Sequence, residues 1–218
     1  GGTNSAGTLW ETTLTSGAPT VLHHFFPADS SSGMGRSTGG VAWGGNRLYG
    51  LSQRTNLLTS ATEYVLWTFE LTGSSIVERL VFDTATQFFP RGTMESNASG
   101  VAYGLTYESA TSNATAHLFR FDAGFDISPR VSTATIGAAG GISLSVQNNM
   151  LYGLAQTGTG TGQGDGYLFS WQGGAANTQI IQMATFAASD SESPAGLVYR
   201  DSTDGRIYGT SIEGGNAG

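Results

Sequence analysis

The sequence predicts an all-β chain: a β-propeller of four blades, each of about four antiparallel strands, with the N-terminal strands completing the C-terminal blade. Three observations lead there. One phrase recurs four times, as Leu48-Tyr49-Gly50-Leu51-Ser52, Ala102-Tyr103-Gly104-Leu105-Thr106, Leu151-Tyr152-Gly153-Leu154-Ala155 and Ile207-Tyr208-Gly209-Thr210-Ser211. Its tyrosines stand 54, 49 and 56 residues apart, and a period near 50 with strand-like content points to propeller blades. Glycine accounts for 33 of 218 residues, Ser and Thr abound, and no long run of Ala, Glu, Leu and Lys suggests a helix; many short strands joined by turns are expected. Lastly, the two ends of the chain carry the two halves of one repeat.

The first whole copy shows the element order. Gly40-Val41-Ala42-Trp43 is a short apolar strand, and Gly44-Gly45-Asn46 a tight turn, because Gly and Asn tolerate positive φ. Leu48 to Gln53 is the second strand. Tyr64 to Leu71 is the third, with Val65, Trp67, Phe69 and Leu71 on one face at period two. Thr72-Gly73-Ser74 turns the chain into the fourth, Ile76 to Phe82, which Glu78 and Arg79 interrupt.

The other copies keep that order. A Leu-aromatic step marks each third strand, at Leu66-Trp67, Leu118-Phe119 and Leu168-Phe169, and its aromatic follows the repeat's Tyr by 18, 16 and 17 residues. Fourth strands are expected at Pro129–Ile136 and Gln179–Phe186, and first strands near Gly92, Gly141 and Gly196. Gly92-Thr93-Met94-Glu95 is a poor strand by composition.

The last copy stops soon after Tyr208. The chain opens with Leu9-Trp10 and then Thr20 to Phe26, a third and a fourth strand without a first and second. From Tyr208 to the last residue and on to Trp10 is 20 residues, close to the other copies. The domain reading is therefore one propeller over 1–218, with a blade split between 1–30 and 190–218 and others at about 36–85, 86–137 and 138–189. Such a split blade would protect strand edges that an open array exposes. Two other closures stay open. Both ends carry glycine-rich text, as an excerpt of a longer array would; and the N-terminal strand pair could complete a neighbouring chain, giving a two-chain ring or a fibre.

Only 11% of residues are charged; all nine cations are Arg, and the net charge is −7. No nucleic-acid partner is expected of such a chain, which has no basic stripe. There is no cysteine, which excludes disulfides, thiolate metal sites and cysteine nucleophiles. No apolar run reaches the roughly 18–20 residues of a membrane span. The sequence begins at Gly1 without Met, as a processed or excerpted chain would.

The Tyr-Gly-Thr-Ser strand, its Gly/Asn-rich loop and Gly-Thr-Leu-aromatic are carried here by Ile207-Tyr208-Gly209-Thr210-Ser211-Ile212-Glu213-Gly214-Gly215 and Gly7-Thr8-Leu9-Trp10-Glu11. They resemble the GloVer-type tandem repeats of bacterial surface proteins. The split copy carries the resemblance best; in the other three, Leu or Leu-Ala replaces the Thr and the loops hold fewer glycines. The resemblance implies a propeller exported to the cell surface, and no reaction.

Residues with chemical potential are few. His23 and His24 are adjacent on a strand and point to opposite faces, so no shared metal is expected of them; His117 stands alone. The run Gly158 to Gly166 lacks the spacing and the following helix of a phosphate cradle and reads as a loop. Asp201-Ser202-Thr203-Asp204-Gly205 lacks the later ligands of a calcium loop and falls where a hairpin turn is needed. Glu11, Glu70, Glu78, Glu95, Glu108 and Asp122 are scattered, and nothing in their spacing makes an acid pair. Trp10, Trp67, Phe119 and Phe169 recur at equivalent positions and read as core between blades. Trp43 and Tyr199, on first strands, would fill a central channel or stack on a sugar. Asn97-Ala98-Ser99 and Asn113-Ala114-Thr115 match the N-glycosylation triplet.

The functional expectation is an extracellular or cell-surface structural and interaction propeller. It would act through loops and strand edges, with self-assembly into a homo-oligomer or fibre by strand exchange, and its partners would be a protein or a surface glycan. The alternative is a lectin-like, carbohydrate-binding propeller; a hydrolase or lyase on the same scaffold ranks third. No cofactor, metal or catalytic residue is assigned.

Overall fold

A computed structural model describes residues 6–15, 17–26, 34–73, 75–83, 89–107, 115–122, 135–138, 143–147, 150–155, 166–171, 180–186, 192–201 and 203–213. The expected strands over 129–134, the loop 158–165, Glu108, Asn113 and the glycine-rich ends 1–5 and 214–218 lie outside them. The described chain is all-β, with antiparallel sheets and no helix.

The strands in order are β1 Thr8–Glu11, β2 Thr20–His24, β3 Arg36–Ser37, β4 Ala42–Gly44, β5 Arg47–Thr55, β6 Thr62–Glu70, β7 Ser75–Asp83, β8 Phe89–Ser96 and β9 Val101–Tyr107. Then come β10 Thr115–Asp122, β11 Thr135–Ala138, β12 Ser143–Gln147, β13 Met150–Ala155, β14 Tyr167–Trp171, β15 Ile181–Thr185, β16 Glu192–Arg200 and β17 Ile207–Glu213. Three of the sheets are whole repeats. In the first, β3 and β4 both pair with β5 as two pieces of one strand, and β6 and β7 follow; the second runs β8-β9-β10-β11 and the third β12-β13-β14-β15. Each is a meander of neighbours in sequence, as short hairpin turns dictate. Gly45 and Asn46 take the positive φ values, 59° and 65°, that the β4–β5 turn requires.

The repeat's Tyr-Gly lies on the second strand of each sheet, directly across from the Leu-aromatic step of the third. Gly50 pairs with Trp67, Gly104 with Phe119 and Gly153 with Phe169. Opposite the glycine the first strand is interrupted in several copies. The register of β8 shifts between Arg91 and Glu95, that of β16 between Ala195 and Tyr199, and β3 gives way to β4 there. This explains the one strand that composition marks as poor: Gly92 and Thr93 fall inside a bulge, and Met94 beyond them is buried in the core.

The sheets pack face on face in chain order. Tyr49, Leu51, Leu66 and Phe82 of the first meet Met94, Ala102, Phe119 and Phe121 of the second. Tyr103, Leu105, Tyr107 and Leu118 on its other face meet Leu151, Tyr167, Phe169 and Trp171 of the third. Tyr152 and Leu154 on the third sheet's other face meet Ile207. Successive sheets come closest at their first strands: β4 against β8, β8 against β12 and β12 against β16. In the three whole repeats the tyrosine faces the sheet that follows, and the glycine-aromatic pair faces the strands that precede.

The expected four-stranded sheet from the two ends does not form. Trp10 lies in the pair β1–β2 and Tyr208 in the pair β16–β17, two separate sheets, and the described strands do not close a ring. Each pair instead satisfies its burial at its own end of the stack. Leu9 and Phe25 cover Trp67 and Phe69 of the first sheet, while Ile207 packs on the third.

Candidate interaction surface

The glycine-aromatic pairs are steric seats. A Cβ built on Gly50 would come within 2.1 Å of the Trp67 ring, on Gly104 within 2.4 Å of Phe119, and on Gly153 within 2.3 Å of Phe169. Only a residue without a side chain lets the ring lie flat across the second strand. Over two of the three rings a phenylalanine from the end of the preceding repeat then closes. Phe25 stands 5.4 Å from Trp67, and Phe82 stands 5.4 Å from Phe119 in an edge contact. The seated rings are buried: Trp67 and Phe119 are 1% exposed and Phe169 0%.

The fourth seat and the fourth ring are apart. Among the described residues the nearest atom to a Cβ on Gly209 would be Leu154 Cδ1 at 3.6 Å, with no aromatic ring within 4 Å. Trp10, the counterpart of Trp67, is 57% exposed. This corrects the expectation that all four aromatics are core. The reason is topological: a third-strand ring is buried only where a second strand lies beside it, and β1 has only β2.

The hairpin β1–β2 nonetheless has the local form of the repeat. Its register shifts between Leu9 and Trp10, as those of the third strands do between Leu66 and Trp67 and between Leu168 and Phe169. The Phe25 N–H donates to the Gly7 carbonyl at 3.0 Å, and the Phe186 N–H to the Gly166 carbonyl at 3.1 Å. Gly7 and Gly166 share a positive φ, 98° and 90°.

Both ends of the stack expose complementary halves of an apolar face. At one end β1–β2 covers the outer strands of the first sheet, but Trp43, which pairs with Leu48 on that same face, and Val41 stay exposed. At the other end β16–β17 covers the inner strands of the third sheet, but Ile181 on β15 stays exposed. Tyr199 and Tyr208, paired across β16–β17, are exposed as well.

The candidate chemical groups do not converge. Among the described residues no group of three or more His, Asp or Glu could hold a metal ion. His23 packs edge-on against Phe25 at 5.1 Å, and burial, helped by the charge of His24, lowers its pKa. His117 is buried in β10. Glu78 reaches Arg54, whose Nη1 donates to it at 2.6 Å while Nε donates to Glu63 at 2.8 Å. Burial disfavours the Glu63 carboxylate, but bonds from Arg54 and Asn56 outweigh it and hold its pKa low. Glu70 pairs with Arg47 at 3.0 Å and Asp122 with Arg120 at 3.6 Å. Glu95 is pushed up by burial, and Glu11 is exposed.

Asp201 makes a turn. Its carboxylate accepts the Thr203 N–H at 2.7 Å, which holds its pKa down, and Gly205 at φ 73° closes the hairpin. Asn97 is buried, and its side-chain oxygen accepts the Val101 N–H at 2.9 Å, so that triplet serves the β8–β9 turn. Among the described residues no helix is long and apolar enough to cross a membrane.

No protein-family model matches the sequence, and a search of curated proteins finds no match.

Proposed function

We propose that the chain is a structural and interaction module of the β-propeller type, exported to the cell surface, acting through its strand edges and end faces. The observation that carries this reading is the repeated seat: the same glycine and ring recur in three sheets that approach one another at their first strands, two of them under a phenylalanine from the preceding strands. Sheets that fan out from their first strands are the building pattern of propeller blades. The exposed apolar faces at both ends are of the kind that mark protein contacts. The resemblance to GloVer-type surface repeats supports export, and the low-charge, Arg-only composition accords with it.

Small-angle scattering of the purified chain tests the architecture. A wedge or ring of stacked sheets is the expected shape, and an elongated flat sheet would refute it. A carbohydrate-binding role is the second reading, favoured by the exposed rings of Trp43 and Tyr199. It predicts quenching of Trp43 fluorescence by a glycan, and a glycan array without signal at high protein concentration removes it.

A further inference from the structure

The geometry points to one joint: β1 of a second copy of this chain pairs with the β17 edge, antiparallel, placing Trp10 on Gly209. This deepens the propeller reading and rests on it. The register follows from the repeat. Gly50 pairs with Trp67 and Tyr49 with Thr68, so Gly209 meets Trp10 and Tyr208 meets Glu11. Every part of a fourth seat is already present. A Cβ on Gly209 would meet nothing among the described residues closer than Leu154 Cδ1 at 3.6 Å, Phe186 stands on the third sheet where Phe25 and Phe82 stand elsewhere, and Trp10 is an exposed ring on a hairpin already shaped as a third and fourth strand.

The end faces fit the same joint. The sheet β16-β17-β1-β2 would lie between the third sheet of one copy and the first sheet of the next. There its β1–β2 half covers Ile181, and its β16–β17 half covers Trp43. The tyrosine at 208 would face a first sheet, as Tyr49, Tyr103 and Tyr152 face the sheets after them. The occupant is a second copy because each half is anchored at an opposite end of its own stack. Phe25 and Leu9 hold one and Ile207 the other, and head-to-tail association joins the halves with both anchors kept. Such a heterologous contact closes into a ring or extends as a fibre. Two chains, each with three whole sheets and one joint, make about eight sheets, within the range of known propeller rings.

The sequence has no cysteine, so paired single-cysteine chains read the register directly. Glu11→Cys and Tyr208→Cys occupy facing positions at a spacing a disulfide spans. Mixing the two single variants under mild oxidation is expected to give a disulfide-linked dimer, at least tenfold more than mixing Glu11→Cys with Gly205→Cys. Sedimentation of the unmodified chain is expected to show mass rising with concentration. Gly209→Val and deletion of residues 1–26 each return it to monomer.

A monomer at all concentrations with no cross-link overturns the joint. So does an intrachain disulfide in the monomeric double variant, which would mean the chain closes on itself. Failure of the propeller reading shows separately: small-angle scattering of the same preparations would then fit an elongated flat sheet in place of a wedge or ring of stacked sheets.

Discussion

Gly104 lies beneath the ring of Phe119, directly across the β9–β10 ladder, and a Cβ on it would come within 2.4 Å of the ring's Cε1. The ring has nowhere to go, since Phe82 closes over it at 5.4 Å and the site is fully buried. Gly104→Ala is therefore expected to cost about 1–3 kcal/mol, as overpacking does. Gly40→Ala, with nothing among the described residues within 4 Å of its Cβ, should stay within about 0.5 kcal/mol. Urea denaturation of both variants makes the comparison; equal stabilities would dissolve the steric account of the repeat's glycine.

Tyr49 ties the first sheet to the second. Its hydroxyl donates to the Gly100 carbonyl at 2.6 Å in a buried site. Tyr49→Phe leaves that carbonyl without its donor and should cost about 1–2 kcal/mol. Hydrogen exchange at Val101 and Ala102 should quicken in the variant; unchanged exchange and stability would mean the bond carries nothing.

Tyr167 shows the opposite sign. Burial pushes its pKa up to about 12, and its buried hydroxyl has no hydrogen-bond partner among the described residues. The ionised form is tolerated in the unfolded chain and resisted in the fold. Its contribution is complete below pH 10 and is lost as the pH climbs toward 12, about 2–3 kcal/mol in all. Tyr167→Phe should be neutral or stabilising at pH 7 and should flatten the alkaline limb of a stability-against-pH curve. A variant as alkali-sensitive as the parent would contradict this.

Glu63 governs part of the acid limb. Its pKa is held below the ordinary 4.5 by Arg54 and Asn56 against the pull of burial. Stability from that carboxylate is present above pH 4.5 and fades as the pH falls through the lowered value. Glu63→Gln should cost about 1 kcal/mol at pH 7 after allowance for solvent screening. The gap to the parent should narrow at pH 3 in thermal melts; a gap that widens there would reverse the sign.

Phe25 is the clamp of the N-terminal hairpin, buried against Trp67. Phe25→Ala is expected to cost about 3 kcal/mol of local stability. Acrylamide should then reach Trp67 in addition to the exposed Trp10 and Trp43 in dilute protein. Quenching that still reports two shielded tryptophans would place the hairpin elsewhere.

Much of the fold is visible in the residues themselves. The alternation Val65-Trp67-Phe69 is a strand wherever it sits, and Gly45-Asn46 and Asp204-Gly205 are turns by their own φ preferences. The identity of the seats was half visible. The Tyr-Gly and Leu-aromatic steps recur at steady spacing, but only the register shows that the glycine lies under the ring. The strand Phe89–Ser96 was hidden, because a bulge holds Gly92 and Thr93 where alternation would look for paired residues.

By itself the amino-acid order determined an all-β chain, its repeat and the strand order within each copy, because period-two burial and tight turns are written within a few neighbouring residues. Tertiary structure alone decided which faces are covered and where the terminal strands go. Trp10 and Trp67 sit in the same local text, yet one is exposed and the other enclosed. Burial of a ring depends on the second strand beside it and the sheet stacked above, and both are brought there by parts of the chain far away in sequence.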